Sequence, residues 1–188
     1  MLELRLVVAV TGASGVIYGK RLLEVLDEKK VETHVIVSRA AEKVVKYELK
    51  LAKKDLEKLA THVYDANDLN APFMSGSFRT DGMIIVPCTM KTLAGIASGY
   101  ADNLILRAAD VTIKEHRKLV VVPRETPLSV IHLRNMLTLA ELGVCVVPAM
   151  PAYYHNPKKI DDQVDFMVGK ILDCLCIEHE LFKRWKGA

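Results

Sequence analysis

Arg124 and Glu125 end a run of four apolar residues, 119-LVVV-122, and stand between Pro123 and Pro127. A cation and a carboxylate at the mouth of a buried strand can hold an anion and carry a proton. The flanking prolines stiffen the loop that presents them. Alternation along an extended chain points the two side chains in opposite directions, so one can face each of two ligands. A structural ion pair would account for the same pattern. The turn 11-TGASG-15 is the second group of interest. Its small residues at Gly12 and Ala13 let backbone approach a ligand, free N–H groups at a helix start suit a phosphate, and Ser14 adds a hydroxyl. A plain tight turn between strand and helix is the alternative. The third group is 87-PCTMKT-92, where Thr89, Lys91 and Thr92, with Met90 among them, can meet a phosphate or a ring edge. Thr89 or Thr92 can equally cap a helix.

Other polar residues say less by spacing alone. Arg107 and Lys114 are seven apart and share a helix face, but a solvated stripe with Asp110 pairing to Arg107 explains them as well. Glu48 is a helix residue of no special context. Tyr154 sits in an aromatic cluster, Tyr153-Tyr154-His155, and Lys170 reads as a surface lysine. A dinucleotide is disfavoured. G-x-G-x-x-G is absent, Tyr18 stands where a variant fingerprint needs glycine, and the second strand ends in Ser38 rather than an acid. The one Tyr-x-x-x-Lys, Tyr154 to Lys158, contains Pro157. A mononucleotide with one phosphate fits better.

These groups share one feature: each follows a strand. Strands are expected at Leu4–Val10, Val31–Val37, Met83–Val86, Lys118–Val122 and Gly143–Val147. Helices are expected over Gly15–Leu26, Ala40–Leu51, from about Thr92, Asn103–His116, Val130–Leu142 and Asp161–Ile177. The segment 148-PAMPAYYHNP-157 cannot be regular, because its prolines remove donors and fix φ. Val/Ile-rich strands alternating with helices predict an α/β fold, a doubly wound, mostly parallel sheet with helices on both faces. Ligands of such sheets lie beyond the carboxyl ends of the strands, where the groups above fall.

The 188 residues imply one domain over 1–188. A chain 51% hydrophobic and 26% charged has the stock of a folded core rather than of disorder. A net charge of +3, without a dense basic run, argues against nucleic acid. No apolar run reaches the ~18 residues of a membrane span. Cys88, Cys145, Cys174 and Cys176 form no C-x-x-C and no secretory signal is expected, so a soluble protein of the reducing cytoplasm is the expectation. The six histidines show no H-x-H or H-x-x-x-H, and no metal site is expected.

Taken together, 11-TGASGVIYG-19, 87-PCTMKT-92, 107-RAADVTIKE-115, 124-RETPL-128 and 148-PAMPAYYHNP-157 resemble the flavin prenyltransferases, the UbiX/Pad1 family. The likeness spans nearly the whole chain. It implies a flavodoxin-like, Rossmann-like sheet and a homo-oligomer, usually a dodecamer. It implies transfer of a dimethylallyl group from dimethylallyl monophosphate to N5, then C6, of reduced FMN. The product, prenylated FMN, serves a UbiD-type decarboxylase. The resemblance places FMN contacts on Gly12, Ala13, Ser14, Ser38, Thr89, Met90, Lys91, Thr92 and Arg124. It places prenyl-phosphate contacts on Arg107, Lys114, Glu125, Tyr154 and Lys170, and proton handling on Ser14, Glu48 and Glu125. Relatives often carry serine at the position of Thr89, which keeps the hydroxyl. They often carry arginine at the position of Lys170, where lysine keeps the charge but not the two-pronged grip. No Asp-rich motif for a magnesium diphosphate is present, so a metal-free departure of a monophosphate is implied. Two other readings compete. A flavin-dependent decarboxylase of peptidyl-cysteine or phosphopantothenoylcysteine type would carry a P-A-M-N motif, where this chain has Pro151 after 148-PAM-150. A non-catalytic flavin carrier would not need Glu125.

Overall fold

The computed structural model describes residues 4–185 and Gly187; residues 1–3, 186 and 188, at the ends of the domain expected over 1–188, lie outside the described residues. Six strands form one sheet: β1 (Arg5–Val10), β2 (Glu32–Val37), β3 (His62–Tyr64), β4 (Gly82–Cys88), β5 (Lys118–Pro123) and β6 (Cys145–Val146). Their order is β3-β2-β1-β4-β5-β6, and every neighbouring pair is parallel. The chain winds outward from β1 to β3, then returns to β4 beside β1 and winds the other way. The reversal opens a crevice at the carboxyl ends of β1 and β4, the position where doubly wound sheets bind ligands.

Seven helices cover the sheet: α1 (Val16–Glu28), α2 (Arg39–Leu49), α3 (Lys53–Glu57), α4 (Met90–Ala97), α5 (Leu104–Lys114), α6 (Val130–Glu141) and α7 (Ile160–Cys174). The strand side chains alternate between two cores. Val8, Val10, Val35, Val37, Val120 and Val122 meet α1, α2 and α7 through Leu22, Leu23, Val45, Val168 and Ile171. Val7, Ala9, Ile36, Ile85 and Val121 meet α4, α5 and α6 through Leu93, Leu106, Ala109 and Leu139. Each fully buried aliphatic side chain contributes ~1.5–3 kcal/mol against exposure, so two continuous cores fix the sheet as a rigid platform.

The predicted elements are present, with shifted ends. β4 runs to Cys88, and its helix begins at Met90 because Thr89 caps it, accepting from the Thr92 N–H at 3.1 Å. β6 shrinks to two residues, half-exposed at the sheet edge. α3 and β3 lie in the stretch 52–82, where no element is expected. α6 buries only Leu139. Val130, Ile131, Leu133 and Leu137 stay more than half exposed, so this helix carries an apolar outer face.

Candidate active site

The carboxyl ends of β1, β2, β4 and β5 bring together most of the residues read as flavin contacts. Thr11, buried at the end of β1, donates through Oγ1 to the Pro87 carbonyl at 2.7 Å. The same oxygen accepts from the Thr89 N–H at 2.9 Å. One hydroxyl thus ties the β1 loop to the β4 loop and fixes where Thr89 through Thr92 stand. Ser38 caps α2, accepting from the Ala41 N–H at 3.1 Å. At Gly12 a Cβ would lie 2.5 Å from the Ala40 Cβ, so only glycine lets the first loop pass so close to α2. Gly15, with φ 100, turns the chain into α1 in a conformation that glycine adopts freely.

The start of α1 differs from the simplest phosphate seat. Glu48, reaching over from α2, accepts through Oε2 from the N–H groups of Gly15 at 2.9 Å and Val16 at 3.3 Å. Gly15 has no side chain to cap the helix, and the carboxylate does so instead, favoured by the positive end of the helix dipole. Spacing gave Glu48 no role; the 33-residue separation of this bond explains why.

Arg124 and Glu125 stand at the end of β5 as the pattern required. Arg124 is half-buried, and its Nε has no hydrogen-bond partner among the described residues. A buried charged donor without a partner is costly, so an acceptor brought by a ligand would be favoured there. Tyr18 on α1 lies within reach of the Arg124 charge; burial raises its phenol pKa and Arg124 opposes the rise. Glu125 is exposed, and its Oε1 accepts only from the neighbouring Thr126 N–H at 3.1 Å. The two side chains form no ion pair with one another, which removes the structural-pair reading. They border a cavity of ≈ 60 Å³, closed by Leu128, Met136, Pro148 and Met150. A small-molecule site typically needs ~300 Å³ or more, so this cavity alone is too small to enclose such a ligand. A larger groove, ≈ 360 Å³, lies between α1 and α7 and is bordered by none of the predicted site residues.

Four predicted residues are not brought to this crevice from within the chain. Helices that follow a strand in a parallel sheet run back toward its amino end. Lys114 closes α5 and lies four residues before β5 begins. It therefore sits at the amino edge of the sheet, where it pairs with Glu115 at 2.6 Å. Arg107 lies on the outer side of α5 and pairs with Asp110 at 2.7 Å, as the stripe reading expected. Lys170, far along α7, is on the opposite sheet face and lies 3.6 Å from Asp173. Tyr154 is half exposed, packed edge-on against Phe166 and Trp185. One chain thus carries Arg107 and Lys114 on the helix of one sheet face and Lys170 on the helix of the other.

The close approach at Gly12, the hydroxyls of Ser38 and Thr89 and the unpartnered Arg124 Nε suit a phosphorylated ligand at the carboxyl ends of the strands. Such a fold with such a site defines a class, the mononucleotide-binding flavoproteins. A family model described as Flavoprotein matches residues 1–174. The chain is 50% identical over 182 residues to the flavin prenyltransferase UbiX of Methanocaldococcus jannaschii, covering 97% of this chain and 98% of that protein. Among solved structures, AnUbiX (PadA1) in complex with FMN and dimethylallyl pyrophosphate superposes with a TM-score of 0.97 at 48% identity, covering 99% of each chain. A dodecameric FMN-dependent UbiX-like decarboxylase from Escherichia coli O157:H7 superposes with a TM-score of 0.96 at 50% identity, covering 98% of this chain and 100% of that one. The chain belongs to the flavin prenyltransferases, a family of flavoproteins.

Proposed function

We propose that this enzyme transfers a dimethylallyl group from dimethylallyl monophosphate to N5, and then C6, of reduced FMN, without a metal ion. The observation that carries this reading is the pair at the end of β5: Arg124, with a buried Nε that lacks an acceptor, beside Glu125, whose carboxylate faces outward. Arg124 holds the flavin, together with Gly12, Ala13, Ser14, Ser38 and Thr89 through Thr92. Glu125 faces the prenyl phosphate. As the allylic C–O bond breaks, its electron pair leaves on the phosphate and a new C–N bond forms at N5, which gives up its proton; protonation of the remaining alkene then lets its tertiary carbon bond C6, which loses its own proton. Arg107, Lys114, Lys170 and the Tyr154 hydroxyl stabilise the charge growing on the leaving group, each being worth ~3 kcal/mol if it behaves as a typical transition-state donor. Glu125 carries a proton to that phosphate, with Ser14 and Glu48 handling protons at the flavin.

In this reading Arg107, Lys114 and Lys170 reach a crevice from neighbouring copies, in keeping with their placement along α5 and α7. The apolar outer face of α6, with Ile131 and Leu137 at 67% and 59% exposure, is a surface for such assembly. We read the protein as a homo-oligomer, a dodecamer, formed by single-domain chains over residues 1–188. None of the helices among the described residues is long and apolar enough to cross a membrane, in keeping with a cytoplasmic enzyme. Its product, prenylated FMN, passes to a UbiD-type decarboxylase.

The test is Glu125→Gln, assayed anaerobically with reduced FMN and dimethylallyl monophosphate. The variant is expected to bind both ligands and to turn over ~10²-fold more slowly. Binding with an unchanged rate would overturn the proton-transfer role.

A further inference from the structure

We propose a second ligand site on this protein, for a borderline divalent cation of the zinc type, formed by Glu32, His34 and His62. It lies on the β2–β3 edge, near the strands' amino ends and away from the crevice. The register of the sheet builds it. Glu32 and His34 are two apart on β2 and so share a face. His34 is the direct partner of His62 on β3, which brings the second imidazole alongside. The two rings stack with centroids 4.7 Å apart. Both turn Nε2 toward one oxygen: Glu32 Oε1 lies 3.1 Å from His34 Nε2 and 3.6 Å from His62 Nε2. The three ligand atoms all fall within 4.8 Å of one another. Tetrahedral zinc with ligand bonds near 2.0–2.1 Å holds its ligand atoms ~3.3 Å apart. The observed spacings bracket that value, and the exposed His62 is free to adjust.

The surroundings are those of ligands already oriented. His34 is buried, and its other nitrogen, Nδ1, lies 3.0 Å from the Tyr64 hydroxyl. A fixed partner on the far nitrogen of a ligating imidazole orients the ring and sets its tautomer. Arg5 forms an ion pair with the second carboxylate oxygen, its Nε lying 2.8 Å from Glu32 Oε2. That leaves Oε1 for the cation, while the nearby guanidinium limits affinity. Two imidazoles and one carboxylate leave a fourth position for water, open on the side of His62. Ligation through Nε2 leaves the single proton of the His34 ring on Nδ1, facing the Tyr64 hydroxyl. It also clamps β3, a three-residue edge strand, to β2.

The test uses the whole protein, stripped with a chelator and titrated with Zn²⁺ in a calorimeter and with Co²⁺ in a spectrophotometer. One equivalent is expected to bind per chain. Co²⁺ should give tetrahedral d–d bands with no thiolate charge-transfer band, which separates this site from the cysteines. His62→Ala, at an exposed position, should fold normally and bind at least ~10-fold more weakly. Tyr64→Phe should lose ~10-fold by releasing the His34 ring. Zinc should raise Tm in the parent and not in His62→Ala. Binding that survives His62→Ala undiminished, or a stripped protein that takes up no metal, overturns the proposal.

Discussion

Glu48 caps a helix that is not its own: its carboxylate accepts from the Gly15 N–H at 2.9 Å, joining the end of α2 to the start of α1. The bond sits beside Ser14 and so couples fold stability to the first flavin loop. Glu48→Ala is expected to cost about 1 kcal/mol, the ordinary worth of a helix N-cap. For a chain of this length that is ~2–4 °C in Tm. Scanning calorimetry checks it. Glu48→Gln keeps an acceptor oxygen and should recover most of that loss. If it lost activity while keeping Tm, the carboxylate would be shown to handle protons as well as cap.

Arg124 gives a prediction in which stability and binding move in opposite directions. Its Nε has no partner among the described residues. Arg124→Met therefore removes a buried unsatisfied donor and should leave the ligand-free protein as stable as the parent, or more so. The same change removes a charge-assisted contact to flavin, so the Kd for FMN should rise ~10–100-fold. Fluorescence quenching of FMN and thermal melts together check both signs.

A third expectation follows from the two faces of the sheet. If sites are shared between copies, Arg107→Ala and Lys170→Ala should each lose ~10² in rate alone. Co-assembled in one oligomer, they should recover about a quarter of parent activity, because some sites receive both intact residues from different chains. Recovery is absent if one chain supplies both.

Thiol chemistry offers a fourth check. Burial pushes the Cys88 thiol up to about 12, and burial with Cys145 alongside does the same for Cys174. Thiols with pKa values that high stay protonated, and so unreactive, at pH 8. A disulfide reagent should label the exposed Cys176 quickly and leave Cys88 and Cys174 intact until denaturant is added. Rapid native labelling of Cys88 would contradict the packing at the end of β4.

What the sequence disclosed and what it withheld divide along a physical line. Five of the six strands announced themselves as apolar runs, though the run at 143–147 forms only the two-residue β6, and the loops after them could be inspected because parallel sheets put ligands there. Arg124 and Glu125 were legible for that reason. β3 was not, because a three-residue edge strand with two exposed positions leaves no period to read. The Glu48 cap and the pairing of His34 with His62 depend on which segments become neighbours, and local pattern carries no such information. Lys114 and Lys170 were legible only through family likeness; their own chain gives them ordinary acidic partners.

The central claim is that the protein prenylates flavin. The most direct measurement mixes it anaerobically with reduced FMN and dimethylallyl monophosphate, in the presence of a chelator, and weighs the flavin by mass spectrometry. The account predicts a gain of one C5H8 unit. Unmodified FMN, under conditions where both ligands are shown to bind, would contradict it.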